Sequence, residues 1–91
     1  MGIVVRLPSI LKKLVGNNGV AQVSGGTITE AIKDLVRQFP ELRERLFASD
    51  GKINPFLIVC LNGEDIRFKE RVLTPVADGD EISIIPAISG G

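Results

Sequence analysis

A single strong helix signature, which runs from Thr27 to Phe39, most restricts the folds open to this chain of 91 residues. Thr27 and Glu30 stand three positions apart, as in a capping box, in which two side chains bond unpaired backbone amides reciprocally. Apolar residues then follow at the spacing of one helical face: Ile28, Ala31, Ile32, Leu35, Val36 and Phe39. Pro40 ends the helix, because the residue before a proline is disfavoured in the helical region.

Short strand-like segments flank this helix on both sides. Five segments are predicted to be strands: residues 3–7, 20–23, 56–61, 64–68 and 81–85. Asn62-Gly63 is a strong hairpin signal between two of them, and Asp78-Gly79-Asp80 marks a turn before the last. Residues 8–19 are predicted to form a long loop from which Ile10, Leu11 and Leu14 turn inward, and residues 41–47 a second short helical segment.

The order of elements predicts the architecture. Two strands, one helix and three further strands describe an α+β fold of the β-grasp type, in which one main helix packs across a mixed sheet of four to five strands. A helical crossover joins parallel neighbours, so the first and last strands are predicted to lie side by side in the middle. We expect one domain, residues 1–91, with a flexible tail at 87–91.

Composition and charge exclude several classes of function. Eleven basic and eleven acidic residues cancel, so there is no electrostatic reason to expect nucleic acid or an anionic membrane as partner. No apolar run is long enough to cross a bilayer, and no signal peptide opens the chain. The sequence has no histidine and one cysteine, which excludes imidazole catalysis and histidine-ligated metals. We therefore predict a cytoplasmic protein that is not an enzyme and binds no cofactor or metal itself.

The sequence closes with Gly90-Gly91, a dipeptide without side chains. Such a dipeptide can enter a slot too narrow for other residues, and its backbone adopts angles closed to them. The α-carboxylate of Gly91, with a reference pKa of roughly 3.3–3.7, is ionised at neutral pH and can attack an activated phosphate. A frayed tail is the alternative interpretation. The position of the dipeptide, a few residues past an apolar strand, favours a functional role for Gly90-Gly91 over a frayed tail.

Side-chain alternation predicts a partner-binding surface on the sheet. If Leu57, Val59 and Leu61 of one strand and Ile82 and Ile84 of the last strand face the helix, then alternation places four apolar residues on the opposite face: Phe56, Ile58, Cys60 and Ile85. We predict that these apolar groups contact a partner, with Arg67 at the polar rim. Alternatively, the loop at residues 8–19 or a second copy of the chain covers them. Cys60 lies in an apolar run, which favours a buried, unreactive thiol.

These residues together resemble the ThiS/MoaD family of ubiquitin-like sulfur carriers. The resemblance spans essentially the whole chain and rests on residues 5–8, the helix, residues 59–67, and above all Asp78–Ile82 followed by Pro86 and Gly90-Gly91. Within the family the chain is most similar to the CysO/MoaD branch. The resemblance implies a ubiquitin-like β-grasp fold.

The resemblance also implies a role as carrier and cosubstrate. A ubiquitin-activating-type adenylating enzyme would use Mg-ATP to adenylate Gly91, with Gly90 giving clearance in its slot. A sulfur donor would then form a thiocarboxylate on Gly91. A sulfur-accepting synthase would receive the sulfur for cysteine, molybdopterin or thiamine biosynthesis, and the free carrier would be a monomer.

Two alternatives from other classes stay open. One is a ubiquitin-like modifier that is conjugated to lysines through Gly91, which requires the same adenylation. The other is a β-grasp binding module in which the terminal diglycine has no role.

Overall fold

A computed structural model describes residues 2–87, except for the side chain of Asn17. The strands are β1 (Ile3–Arg6), β2 (Val20–Val23), β3 (Leu57–Leu61), β4 (Glu64–Asp65) and β5 (Glu81–Pro86). The α-helices are α1 (Lys12–Val15), α2 (Ile28–Gln38) and α3 (Arg43–Leu46). Short 3₁₀ turns cover Ser9–Leu11, Asn17–Gly19, Pro40–Leu42, Ile66–Phe68 and Arg71–Leu73.

The five strands form one mixed sheet in the order β2-β1-β5-β3-β4. The central pair, β1 and β5, is parallel, and the other neighbours are antiparallel. Helix α2 connects β2 to the second half of the sheet and packs across it. The predicted α+β β-grasp fold is therefore confirmed, including the first and last strands side by side in the middle.

The predicted capping arrangement of α2 is half correct. Thr27 Oγ1 accepts a hydrogen bond from the Glu30 N–H at 3.2 Å, as expected. The Glu30 carboxylate, however, accepts from the N–H of Gly26 at 2.7 Å, not from that of Thr27. Thr27 instead forms a β-bridge with Pro75, so the chain enters α2 from a short extended segment.

The core lies between α2 and the inner face of the sheet. The helix contributes Ile28, Ala31, Ile32, Leu35 and Val36, and the strands contribute Ile3, Val5, Ala21, Val23, Val59, Leu61, Ile82 and Ile84. Burying a large aliphatic side chain stabilises a fold by about 1.5–3 kcal/mol, so this layer dominates the favourable free energy. The Pro40–Leu42 turn and α3 confirm the predicted helical segment after Pro40, and Leu42 and Leu46 in it are buried.

Two expectations about local structure are wrong. The return strand ends at Asp65, because the Asp65 carboxylate accepts the Arg67 N–H at 2.9 Å and starts a 3₁₀ turn. That turn leaves Phe68 86% exposed. In the first loop Leu11 is buried but Ile10 is 73% exposed, because residues 9–11 form a 3₁₀ turn that directs adjacent side chains about 120° apart.

Candidate functional site at the end of the central strand

The carboxyl end of β5 extends beyond its parallel neighbour. Pairing between β1 and β5 stops at Arg6 opposite Ser83, whereas β3 continues to pair with β5 as far as Pro86. The last residues of β5 therefore have a strand on one side only. On the other side the chain turns at Pro8 into the Ser9–Leu11 turn, and a cavity of about 270 Å³ separates this turn from β5.

The sheet holds the chain up to the start of the predicted tail. The Ala87 N–H donates to the Phe56 carbonyl at 2.7 Å. Antiparallel pairs alternate between bonded and non-bonded positions, so Pro86 opposite Leu57 occupies a non-bonded position. A proline there removes no ladder hydrogen bond. The described chain thus remains bonded to the sheet as far as Ala87, and Gly90 and Gly91 lie outside the described residues.

Apolar side chains surround this exit, and we call them the collar: Ile10, Phe56, Ile58, Ile85 and Pro86. Ile58 and Ile85 are directly opposite across the β3–β5 pair. Phe56 is 61% exposed and Ile85 is 44% exposed. The structure therefore brings three of the predicted partner-binding residues together at the exit. Ile10, which was expected to turn inward, borders the same cavity as Ile85 instead.

Cys60 and Arg67 are not part of the collar. Cys60 is opposite Ser83 on one side and Asp65 on the other, two pairs further along β3 from Ile58 and on the same face of the strand. The thiol is partly buried, and its desolvation, followed by the negative charge of Asp65, raises its pKa. The Arg67 guanidinium donates to Asp65 at 2.7 Å and lies beside β4 at the sheet edge. A raised pKa lowers the thiolate fraction, so Cys60 is a poor nucleophile at neutral pH.

A hydrogen-bonded turn fixes the start of β5. Asp80 accepts from the Ala77 N–H at 2.9 Å and from the Asn62 side-chain amide at 3.1 Å. Asn62 in turn accepts the Glu81 N–H at 2.9 Å, so the β3–β4 hairpin is tied to the beginning of β5. The Ala77 N–H, followed by the Asn62 amide, lowers the pKa of Asp80. This network holds the start of β5 against the β3–β4 hairpin.

No helix within residues 2–87 is both long and apolar enough to span a membrane. Among the same residues, no group of three or more histidine, cysteine, aspartate or glutamate side chains is placed to hold a metal ion.

The fold and this exit define a ubiquitin-like β-grasp protein that presents its carboxyl-terminal segment from the central strand. The sequence matches the ThiS family over residues 5–91, and the chain belongs to that family. It is 37% identical over 93 residues to the sulfur carrier protein CysO of Mycobacterium tuberculosis, with both chains covered completely.

Solved structures agree with this assignment. The structure of the BexX/CysO complex of Amycolatopsis orientalis contains a chain that superposes with a TM-score of 0.87 at 32% identity, covering 99% of this chain and 100% of the other. SAMP1 of Haloferax volcanii superposes with a TM-score of 0.83 at 28% identity, covering 98% of each chain.

Proposed function

We propose that this protein is a sulfur carrier, with cysteine biosynthesis as the pathway that its relatives favour over molybdopterin or thiamine biosynthesis. The observation that carries the proposal is the end-to-end similarity to sulfur carrier proteins named CysO. The chain would act as cosubstrate and not as an enzyme. An adenylating enzyme of the ubiquitin-activating type and a sulfur-accepting synthase would be its partners in the cytoplasm.

The proposed chemistry occurs on the Gly91 carboxylate. One carboxylate oxygen attacks the α-phosphorus of ATP in the adenylating enzyme, and pyrophosphate leaves with Mg²⁺. The product is an acyl-adenylate, a mixed anhydride whose carbonyl carbon accepts a nucleophile. A sulfur donor then attacks that carbon and AMP leaves, which produces a thiocarboxylate. All of the Mg-ATP binding belongs to the partner enzyme.

The collar supports this proposal because it is an exposed apolar surface at the end of β5, which a partner enzyme would cover. From Pro86 to Gly91 an extended chain spans roughly 16 Å, enough to reach from the domain into a partner's pocket. A partner that covers Ile85 and Phe56 would hold the start of the tail, so that fewer residues must be ordered in the slot. Gly90 and Gly91 would fit into this slot because they have no Cβ atom, whereas any other residue would be wider there.

Adding one alanine after Gly91 tests the mechanism. The extended protein should fold normally but should support no ATP–pyrophosphate exchange by the host's adenylating enzyme, because the carboxylate is displaced from the α-phosphate. A chain with one alanine added before Met1 is the matched control and should behave as the wild type. Exchange at the normal rate by the carboxyl-terminal extension would refute the carboxylate mechanism.

Cys60→Ser tests whether the transferred sulfur is carried by the Gly91 carboxylate or by the Cys60 thiol. Because the pKa of the Cys60 thiol is raised, we expect this variant to accept sulfur from the donor as the wild type does. Loss of sulfur loading in Cys60→Ser, with the fold intact, would assign the transfer to the thiol instead.

A ubiquitin-like modifier is the second candidate function. The specific observation in its favour is 35% identity over 65 residues to small archaeal modifier protein 1 of Haloferax volcanii, covering 71% of this chain and 70% of the relative. Protein conjugates whose lysines carry a Gly91-terminated peptide after trypsin digestion of the native host's proteins would support it.

A further inference from the structure

A groove lies between α2 and the loop that precedes β3. Its volume is about 690 Å³, within the range of about 300–1,000 Å³ that is typical of small-molecule sites. Of the collar residues only Ile58 also borders it. Apolar side chains from α2, from the loop before β3 and from the last 3₁₀ turn line the groove: Ile32, Phe47, Ile53, Pro55 and Val72. This lining can hold the apolar body of a ligand.

The edge of β3 beside the groove offers no continuous row of free backbone groups. The Asn62 N–H donates to the Glu81 carbonyl at 2.8 Å, so alternation makes Ile58 a bonded position whose backbone groups face β5. The outward N–H of Leu57 donates to the Asn54 carbonyl at 3.0 Å. An extended peptide buried here would leave main-chain groups without partners, which costs free energy. The groove therefore suits a ligand whose body has no hydrogen-bonding groups.

The neutral polar side chains that line the groove already have partners within the protein. Thr29 Oγ1 donates to the Val72 carbonyl at 2.9 Å. Asn54 uses both its side-chain amide and its side-chain carbonyl oxygen in bonds to the backbone nearby. The Arg67 guanidinium donates to the Asp65 carboxylate at 2.7 Å. The polar groups that are left to meet a ligand are therefore cations.

Three lining cations, Lys33, Lys52 and Arg71, have no carboxylate partner in the described part of the chain. The ion pairs found within residues 2–87 all involve other cations. Asp65 is the one acidic residue among the described lining residues, and Arg67 neutralises it. Ammonium and guanidinium groups donate hydrogen bonds and accept none. The group that complements them is therefore an anion.

The position of Arg71 is fixed by the turn to which it belongs. Its φ is 55°, in the left-handed region that residues other than glycine seldom adopt. Thr74, which is buried, holds this conformation because its hydroxyl donates to the Arg71 carbonyl at 2.6 Å and accepts the Glu70 N–H at 3.1 Å. A rim residue whose backbone is already ordered costs less ordering free energy when a ligand binds.

We propose that this groove binds a small organic carboxylate with an apolar body, of the kind of a medium-chain fatty acid. The apolar body would contact Ile32, Phe47 and Val72. The carboxylate would accept hydrogen bonds from the cations at the rim, Lys52 and Arg71 among them. The sulfur chemistry proposed for Gly91 takes no part in this binding, so the proposal stands independently of sulfur carriage.

The test is a titration of the full-length ¹⁵N-labelled protein with sodium octanoate below its micelle concentration. We expect saturable shifts of the amide signals of Lys33, Lys52, Arg71 and Val72, while those of β2 at the far edge of the sheet stay unchanged. Acetate has the carboxylate without the apolar body, and octylammonium has the body with the opposite charge. Neither should produce saturable shifts at the concentrations at which octanoate does.

Matched charge reversals separate a specific site from general attraction. Lys52→Glu/Arg71→Glu should weaken octanoate binding about tenfold, because two cations at the rim become anions. Lys13→Glu/Arg45→Glu makes the same change in net charge at exposed positions outside the groove and should have little effect. The spectrum of each free variant reports its folding.

Four results would overturn the proposal. They are equal weakening by both pairs of substitutions, equal binding of octylammonium, shifts centred on β2, and no saturable shift at millimolar octanoate. A capped heptapeptide of alternating glutamate and valine that binds the groove more tightly than octanoate would also overturn it, because the occupant would then be a partner protein.

Discussion

Ile85 belongs both to the central strand β5 and to the collar, the proposed partner-binding surface. Its neighbours Ile82 and Ile84 are buried, whereas Ile85 is 44% exposed directly opposite Ile58. An exposed isoleucine at the base of the tail has no structural need to be apolar. Apolar groups that are exposed together and enclosed by a partner carry much of the binding free energy in interfaces.

We predict that Ile85→Asp raises the KM of the adenylating enzyme for the carrier about tenfold, which corresponds to about 1.4 kcal/mol of lost contact. The kcat should change little, because the Gly91 carboxylate is unaltered. Steady-state ATP–pyrophosphate exchange at varied carrier concentration measures both constants.

Leu73→Asp is the matched control for that substitution. Leu73 is 68% exposed and lies on the 3₁₀ turn that packs beside α2, not on the collar. It should leave KM within about twofold of the wild type, since it removes no contact near the exit. Equal increases in KM for the two variants would show that the collar is not the docking surface.

At the scale of elements, Thr27 caps the amino-terminal end of α2, and its contribution to the free energy of unfolding can be measured. The Thr27 hydroxyl accepts the Glu30 N–H, one of the amides that a helix leaves unpaired in its first turn. Thr27→Ala should reduce the free energy of unfolding by about 1 kcal/mol. Thr27→Ser keeps the acceptor oxygen and should lose less than half of that amount. Urea denaturation followed by circular dichroism measures both, and equal losses would contradict the assignment of Thr27 as the cap.

The turn before β5 should make the stability of the folded protein depend on pH through Asp80. Hydrogen bonds from Ala77 and Asn62 lower the pKa of Asp80 below its ordinary value of 3.8. Asp80 therefore binds a proton more readily in the unfolded chain than in the folded one. The ionised Asp80 stabilises the fold fully above its pKa in the unfolded chain, and this stabilisation is lost as the pH falls through its lower pKa in the folded protein.

Asp80→Asn isolates this contribution from those of the other carboxylates. The variant should have a lower Tm than the wild type at neutral pH, and the difference should shrink below about pH 4, where Asp80 begins to take up a proton. Thermal unfolding of both proteins across this range is the measurement. A difference that is the same at pH 3 and pH 7 would mean that the Asp80 charge does not act through this turn.

At the scale of the whole molecule, the features that long-range rules govern could be predicted from the sequence. The apolar face of α2 determines which side of the helix covers the sheet. The crossover through α2 joins β2 to β3, and because β1 is antiparallel to β2 and β5 is antiparallel to β3, the central pair β1 and β5 is parallel. Alternation along β3 and β5 likewise placed Ile58 and Ile85 on one face.

The features that depend on short turns could not be predicted. Ile10 and Leu11 have almost the same apolar character, and only the direction of a three-residue 3₁₀ turn decides which of them reaches the core. The early end of β4 depends on the competition between a strand and a side-chain turn at Asp65. Arg67 pairs with Asp65 beside the edge strand β4 and not beside the collar.

The most direct test of sulfur carriage is intact-mass spectrometry of the protein after incubation with Mg-ATP, a sulfide source and the host's adenylating enzyme, with fragmentation of the carboxyl-terminal peptide. We predict a population in which one oxygen is replaced by sulfur, with the change localised to Gly91. Omission of ATP should abolish it. Protein that stays unmodified while the same enzyme loads another carrier, or a sulfur adduct localised to Cys60, would contradict the account.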